Sequence, residues 1–447
     1  MSIKRSDERI TFVRHCTASN MRIELCYQCF GDPNDKLPVV LLIGGLNMQM
    51  YAWDESFCEE LVRHGFFVIR FDNRDIGHST KIEERGNVIS ARLLLPQTLA
   101  FGERLPYTIE DMARDALSLL DSLNIPFAHI MGISMGGMIA QTVALLAPQR
   151  VLSLTSIMST TNAADLPDPQ FWVKMWLLRK PPANCSIEEL LDFRVNSLKK
   201  LLVGTLPVDD EYLKNRYLIS LRRSSYSAGL IRQAAAIRRC PGRDEALRSL
   251  SCPTLVIHGR EDVLMPPAHG YRTASVIPQA KLVILNNMGH YFHPAFFTPI
   301  ITHFVEVANT CNENNTWKNR SGLDVPEVIP VLNGLSLEEY MATKEKEKED
   351  NISDNTSSTK PITTKTTTTT TTTTSSSSIT MPEVVLEEQN NTNISTANGE
   401  GENMEVDPLY SSVTGFDIEE VRSNIINEQR AEASLLSSPK SDEMNEN

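Results

Sequence analysis

Short segments that are apolar on both faces recur through the first two thirds of the chain and alternate with longer segments of helical spacing. A short segment with no polar face is typical of a strand in a parallel sheet, because helices cover both faces of such a sheet. Two strand-like segments near the start, 10–14 and 21–29, precede the apolar ones. The apolar segments are 38–43, 66–71, 127–131, 151–158, 253–257 and 281–285.

Helical patterns lie between these strands. The segment 108–123 begins with Thr108-x-x-Asp111, a helix-start signal, and continues with apolar residues three or four positions apart. Similar segments are 57–64, 136–146 and 299–308. The alternation of strands and helices predicts an α/β fold in which helices cover both faces of a parallel sheet.

The strand pattern stops between residues 162 and 243, where the sequence is helical. A capping box, Ser186-x-x-Glu189, opens one of these helices. A helical insert between two strands predicts a lid over one rim of the sheet. We therefore divide the chain into a first core part (1–161), a lid (162–243), a second core part (244–312) and a tail (313–447).

The tail differs from the rest in composition and charge. From Val331 onward the chain has 8 Lys and Arg against 22 Asp and Glu, whereas the residues before it have 35 and 34. A charged helix is predicted from Ser336, and the threonine and serine run 366–378 predicts disorder because it has nothing to bury. The segment from Ile418 to Leu436 is either a helix that binds a protein partner or a transient helix.

Composition excludes several classes of protein. Neither the tail nor the rest of the chain has the basic patch of a nucleic-acid-binding protein. No apolar run is long enough to span a membrane, and the charged start is unlike a signal peptide. The cysteines are scattered, and Cys26 and Cys29 lie in a strand without a second pair of metal ligands, so free thiols are expected. These features predict a cytoplasmic enzyme or scaffold.

The pattern Gly-x-Ser-x-Gly stands between a predicted strand and a predicted helix, with Ser134 at its centre. A strand that turns directly into a helix exposes the central side chain, and the glycines leave room in the turn. The helix that follows directs its N-terminal N–H groups toward the same place. Ser134 is therefore a candidate nucleophile.

Asp262 and His290 follow the strands 253–257 and 281–285, at the rim where parallel sheets bind ligands. A serine hydroxyl needs an imidazole to take its proton, and a carboxylate holds that imidazole in one tautomer. The order Ser134, Asp262, His290 fits this arrangement. His293 is the alternative base, although its place before a proline favours a loop role, and His78 and His258 are read as structural.

The oxyanion of an acyl-transfer reaction needs two N–H donors. Met135, the residue after the nucleophile, is one candidate. The other is Leu46 in the loop after strand 38–43, where Gly45 leaves space for the backbone to approach.

The motifs together resemble the α/β-hydrolase superfamily, and within it the group around aclacinomycin methylesterase. The resemblance covers roughly residues 20–308 and rests on GGLNMQMYAWDESFCEELVRHGFFVIRFDNRDIGHST, YTIEDMARDALSLLDSLNI, GISMGGMIAQ, IRQAAAIRRCPGRDEALRSLSCPTLVIHGREDVLMPPAHG and NNMGH. It implies an eight-stranded, mostly parallel sheet with a helical lid, no metal or cofactor, and a serine nucleophile that hydrolyses an ester. Gly44 stands where many relatives have histidine, and nothing in the family predicts the tail.

These observations predict a serine carboxylesterase in which Ser134, His290 and Asp262 form the catalytic set. Apolar lid residues would bind an apolar small-molecule ester, namely Phe171, Trp172, Met175 and Trp176. Lactonase, perhydrolase, peptidase and acyltransferase reactions use the same machinery. A non-catalytic scaffold that binds partners through its acidic tail is the alternative of a different class.

Overall fold

A computed structural model describes residues 3–82, 105–170, 172–173, 176, 179, 181–182, 184–201, 206–224, 226–313 and 330–356. The strands are β1 (Arg9–His15), β2 (Arg22–Phe30), β3 (Val39–Ile43), β4 (Phe67–Phe71), β5 (Ala128–Ile133), β6 (Val151–Ile157), β7 (Thr254–Gly259), β8 (Lys281–Leu285) and β9 (Leu335–Ser336). The α-helices are α1 (Glu55–Arg63), α2 (Ile109–Ser122), α3 (Met135–Leu146), α4 (Ile187–Leu201), α5 (Asp210–Arg223), α6 (Ser227–Arg239), α7 (Asp244–Leu247), α8 (Ala268–Val276), α9 (Phe297–Glu313) and α10 (Leu337–Thr356).

One mostly parallel sheet runs through the molecule, with the strand order β8-β7-β6-β5-β3-β4-β2-β1-β9. The strands β3 to β8 pair in parallel where they are neighbours, whereas β2 pairs with β4, and β1 with β2, in antiparallel fashion. This is the predicted α/β-hydrolase architecture. The parallel strands all end at one rim, so side chains from the loops after β3, β5, β7 and β8 meet there.

Two apolar clusters cover the two faces of the sheet. One contains α2 and α3 with the residues of β3 and β5 that point toward them, including Leu41, Met112 and Ile139. The other contains α1 and α9 with the opposite residues of the same strands, including Leu42, Phe57 and Phe304. Because adjacent strand residues alternate between the clusters, the central strands have no polar face, which explains their uniformly apolar sequence.

The lid helices α4, α5 and α6 lie between β6 and β7 in the chain, as predicted. Ser186 and Glu189 form the predicted capping box at the start of α4, with hydrogen bonds of 2.7 and 3.2 Å. Buried ion pairs join the lid to the core, because Arg223 of α5 contacts Asp72 at 2.8 Å and Arg232 of α6 contacts Asp75 at 2.8 Å.

The sheet has nine strands in the described part of the chain, one more than the eight expected. The ninth, β9, pairs with β1 and continues into the predicted charged helix, α10. Although the sequence assigned residues 313–447 to the tail, Leu332 packs on the first apolar cluster, and Leu337 and Tyr340 pack beside β1. The tail helix proposed between residues 418 and 436 lies outside the described residues.

Within the described residues, no helix is both long enough and apolar enough to cross a membrane.

Candidate active site

The turn between β5 and α3 holds Ser134 in a strained backbone conformation. Its φ is 55° and its ψ is −120°, in a region that costs a non-glycine residue about 1–3 kcal/mol. The flanking glycines allow the tight turn. A Cβ on Gly132 would lie 2.0 Å from the oxygen of Gly136, and a Cβ on Gly136 would lie 2.1 Å from the oxygen of Ile43. The surrounding structure therefore imposes the strain and presents the Ser134 side chain at the rim.

The structure brings together the three side chains that the sequence predicted. The Nδ1 of His290 lies 2.7 Å from Oδ2 of Asp262, and its Nε2 lies 2.9 Å from Oγ of Ser134. An ionised carboxylate only accepts hydrogen bonds, so we assign the imidazole proton to Nδ1. The lone pair on Nε2 then accepts the hydroxyl proton of Ser134. This Ser–His–Asp chain has the geometry of a nucleophile with its base.

Asp262, in the loop after β7, is kept ionised by two histidines. Burial raises the pKa of Asp262, but the interactions with His290 and His258 outweigh it and leave the pKa well below its ordinary value. The other carboxylate oxygen, Oδ1, accepts from the N–H groups of Leu264 at 3.0 Å and Met265 at 2.7 Å. Asp262 is therefore charged at neutral pH, and its orientation is fixed by backbone donors.

The two predicted oxyanion donors lie on elements next to Ser134. Met135 is the first residue of α3, where an N–H group has no acceptor within its own helix. Leu46 lies in the loop formed by residues 44–48, which we call the oxyanion loop. Its neighbour Gly45 lies against the nucleophile, since a Cβ on Gly45 would be 3.2 Å from the Cβ of Ser134.

Two side chains that hold the oxyanion loop were not predicted from the sequence. The amide of Asn73 donates to the oxygen of Gly44 at 3.0 Å, and Oε1 of Gln233 accepts from the N–H of Asn47 at 3.0 Å. Both bonds go to backbone atoms far away in the chain. Because every residue carries the same backbone groups, no sequence pattern marks such partners.

The predicted substrate-binding residues are placed only in part. Phe171 and Met175 lie outside the described residues. Trp172 has 42% of its surface exposed and donates to Gln170 at 2.7 Å. Cationic side chains stack on the ring of Trp176 at 4.1 and 4.4 Å, from Arg179 and Lys200. Both tryptophans thus contact other lid residues, and their role toward a substrate stays a prediction.

Two of the other histidines that the sequence singled out, His293 and His258, have structural partners. His293, the alternative base, accepts from the N–H of Ala295 at 3.0 Å and caps a short 3₁₀ helix. The Nε2 of His258 lies 2.7 Å from the oxygen of Met265, so this ring contacts the backbone beside Asp262, in accordance with its structural reading.

Comparison with known proteins identifies similar sequences and folds. A family model described as alpha/beta hydrolase fold matches residues 38–295, more than half of the chain. Rhodomycin D methylesterase DnrP from Streptomyces peucetius is 29% identical over 301 residues, which are 63% of this chain and 94% of the relative. The 2-hydroxymuconate semialdehyde hydrolase from Pseudomonas sp. (strain CF600) is 28% identical over 232 residues, 49% of this chain and 78% of the relative.

Among solved structures, a variant of the meta-cleavage product hydrolase CumD from Pseudomonas fluorescens IP01, complexed with acetates, is similar with a TM-score of 0.50. The match has 22% identity and covers 65% of this chain and 96% of that one. A likeness at this level of identity shows the fold.

Proposed function

The chain belongs to the α/β-hydrolase family, and on that premise we propose that it is a serine hydrolase that cleaves a carboxylic ester through an acyl-enzyme. The observation that carries the proposal is the hydrogen-bonded chain from Ser134 Oγ through His290 to Asp262. The group of relatives named methylesterases supports an ester as the substrate class, with methyl esters as the first compounds to test.

The proposed reaction begins when His290 Nε2 takes the hydroxyl proton as Ser134 Oγ attacks the ester carbonyl carbon. The negative oxygen of the tetrahedral intermediate lies near the N–H groups of Leu46 and Met135. The carbon–oxygen bond to the alcohol then breaks, and His290 gives the proton to the departing alcohol. Asp262 stabilises the imidazolium during both transfers.

Deacylation repeats the same steps with water. His290 takes a proton from a water molecule, the hydroxide attacks the acyl carbon, and Ser134 leaves with the proton that His290 returns. The free acid and the original enzyme result, so the cycle needs no further reactant. An apolar acyl or alcohol group would be favoured by the lid residues Trp172 and Trp176, together with Phe171 and Met175.

Labelling with a fluorophosphonate tests the nucleophile, and hydrolysis of p-nitrophenyl and methyl esters tests the reaction. We expect the native protein to be labelled and to hydrolyse at least one ester, and Ser134→Ala to lose both activities. Ser153→Ala is the matched control, because Ser153 is a buried serine that contacts His129 rather than His290. A folded native protein that neither reacts with the probe nor cleaves an ester would favour the non-catalytic scaffold instead.

A further inference from the structure

The orientation of one peptide group decides whether Leu46 can donate to an oxyanion. The oxygen of Gly45 belongs to the same peptide as the N–H of Leu46, and it accepts from the N–H of Met48 at 3.2 Å. In a trans peptide the oxygen and the N–H point in opposite directions. The Leu46 N–H therefore points away from Met48.

The peptides on either side of this donor peptide are held by buried amide side chains. Before it, the oxygen of Gly44 accepts from Asn73 at 3.0 Å. After it, the N–H of Asn47 donates to Gln233 at 3.0 Å. Asn73 and Gln233 are almost completely buried, so the side-chain end of each bond is shielded from water.

The amide of Gln233 can bind in only one way. Its Nε2 donates to the oxygen of Arg74 at 3.0 Å, which leaves Oε1 for the N–H of Asn47. The preceding residue, Arg232, makes two hydrogen bonds to Asp75, at 2.8 and 2.9 Å. Both ends of the Gln233 amide and the helix that carries it are thus anchored to the core.

The backbone of Asn47 is held by a partner outside its own loop. Its φ of 56° lies in the left-handed region, which asparagine adopts more readily than other non-glycine residues but less readily than the right-handed region. The hydrogen bond that its N–H donates to Oε1 of Gln233 holds the residue there. Without the acceptor on Gln233, this N–H can turn toward water or another acceptor, and the neighbouring donor peptide turns with it.

We propose that Gln233, on the lid helix α6, is a positioning residue for the oxyanion loop. It acts through Asn47 on the direction of the Leu46 N–H and touches no reacting atom. Docking of α6 on the core is thereby a step in assembling the oxyanion site, in addition to covering the rim. The proposal rests on the proposed function, because it assumes that Leu46 stabilises an oxyanion.

Loss of this contact should affect the transition state rather than substrate binding. Removal of one oxyanion donor costs other hydrolases about 10²–10³-fold in kcat, and a displaced donor should cost less. We therefore expect Gln233→Met to lower kcat about 10–100-fold while KM changes by less than about threefold. Methionine keeps the size of the side chain and removes the acceptor.

The matched control is Gln141→Met, the same substitution at another buried glutamine. Gln141 accepts from Arg243 at 3.0 Å and donates to Ser156 at 3.2 Å, and these contacts lie apart from the oxyanion loop. It should lower thermal stability at least as much as Gln233→Met but leave kcat within about threefold of the native value.

The readout that a purely structural role would not change is binding of a carbonyl inhibitor. The hydroxyl of Ser134 adds to the carbonyl carbon of hexyl trifluoromethyl ketone and forms a hemiketal whose oxygen is negative. Hexyl methyl ketone binds without forming this covalent bond. Gln233→Met should weaken binding of the trifluoromethyl ketone by about the factor by which kcat falls, and it should leave binding of the methyl ketone unchanged. Gln233→Asn, one methylene shorter, should give the same pattern if the methionine variant does not fold.

The kinetics use p-nitrophenyl butyrate with the full-length chain. A folded Gln233 variant with native kcat, or with a loss confined to KM or equal to that of Gln141→Met, would overturn the proposal. Failure of the proposed function would give a different result, because the native protein itself would then neither react with the fluorophosphonate nor hydrolyse the ester.

Discussion

The two sides of Ser134 are held by different parts of the chain. On one side, His290 and Asp262 lie on loops after core strands, and backbone N–H groups of the same loop fix the carboxylate. On the other side, the oxyanion loop is held by Gln233 from the lid, and Gln49 just beyond the loop donates to the oxygens of Ser220 and Ser224 of the lid, both at 2.8 Å.

The difference suggests that the two halves of the site have different requirements for assembly. The hydrogen bonds that join Ser134, His290 and Asp262 run between the turn after β5 and two other loops of the core. The oxyanion loop also needs the lid in place, and the lid is joined to the core by the buried ion pairs of Arg223 and Arg232. Changes in the lid should therefore alter kcat even where they contact no substrate.

The largest expected effect is on the core side of the site. In Asp262→Asn, the amide oxygen replaces Oδ1 opposite the N–H groups of Leu264 and Met265, so the NH₂ group faces His290. His290 must then accept at Nδ1 and carry its proton on Nε2, where it cannot take the proton of Ser134. We expect kcat to fall about 10³–10⁴-fold in ester hydrolysis at neutral pH.

Glu261→Gln is the control for this change, because it neutralises the adjacent carboxylate and leaves the contact between Asp262 and His290 intact. Its kcat should stay near the native value. A small effect of Asp262→Asn would mean that His290 is held in its tautomer by another group.

Next in size is an effect on stability at the sheet edge, far from both halves of the site. A chain ending at residue 329 lacks β9 and α10, so the buried hydroxyl of Tyr27 loses the oxygen of Asn333, its acceptor at 2.6 Å. The packing of Leu332, Leu337 and Tyr340 is lost as well. We expect the free energy of unfolding in urea to fall by about 2–4 kcal/mol and kcat at low temperature to be unchanged.

A chain ending at residue 356 is the matched control for this comparison, since it keeps β9 and α10. The midpoint of its unfolding should lie at the same urea concentration as that of the full-length chain. Loss of kcat in the shorter chain without loss of folded protein would show that this edge is coupled to the site.

A smaller effect is expected at the second contact between the lid and the loop region. Gln49→Ala removes the bonds to Ser220 and Ser224, but Gln49 lies beyond the oxyanion loop and three residues after Leu46. We expect kcat to fall about threefold to tenfold, less than in the Gln233 variants, with KM nearly constant. A lower melting temperature with native kcat would mean that this contact only stabilises the fold.

The effect that is smallest at neutral pH, and that grows as the pH falls, comes from a buried histidine of the core. His129, on the strand leading to Ser134, is buried between Phe66 and Phe304, and burial lowers its pKa to about 3. The unfolded chain takes up this proton near pH 6.5 and the folded chain does not. Stability is therefore lost as pH falls from about 6.5 to about 3, by about 1 kcal/mol for each pH unit.

His129→Asn should retain the hydrogen bond to Ser153 and flatten this slope, as measured by urea unfolding at pH 7, 6 and 5. The carboxylates that hold the lid behave differently. Hydrogen bonds and the charge of Arg223 outweigh burial and lower the pKa values of Glu8 and Asp72, so their contribution is lost only below about pH 4. If His129→Asn leaves the slope of stability between pH 7 and 5 unchanged, a group other than His129 titrates in this range.

Local patterns were sufficient for most of the core. The segment 281–285 is β8 as predicted, and 108–123 contains α2 with its capping box of Thr108 and Asp111. The prediction of the last core helix, 299–308, is too short, because it starts the helix at Pro299. The structure has α9 from Phe297 to Glu313, since a proline is tolerated within the first turn of a helix.

The sequence by itself determined the family, the chain positions of strands β1 to β8 and the three side chains at the rim, because hydrophobic period and elbow glycines are local. The family match over residues 38–295 confirms the first of these. Only the tertiary structure decided that β9 joins the sheet and that a lid glutamine holds the oxyanion loop. A strand of two residues has no period, and the N–H of Asn47 is chemically like that of any other residue, so its partner follows from packing alone.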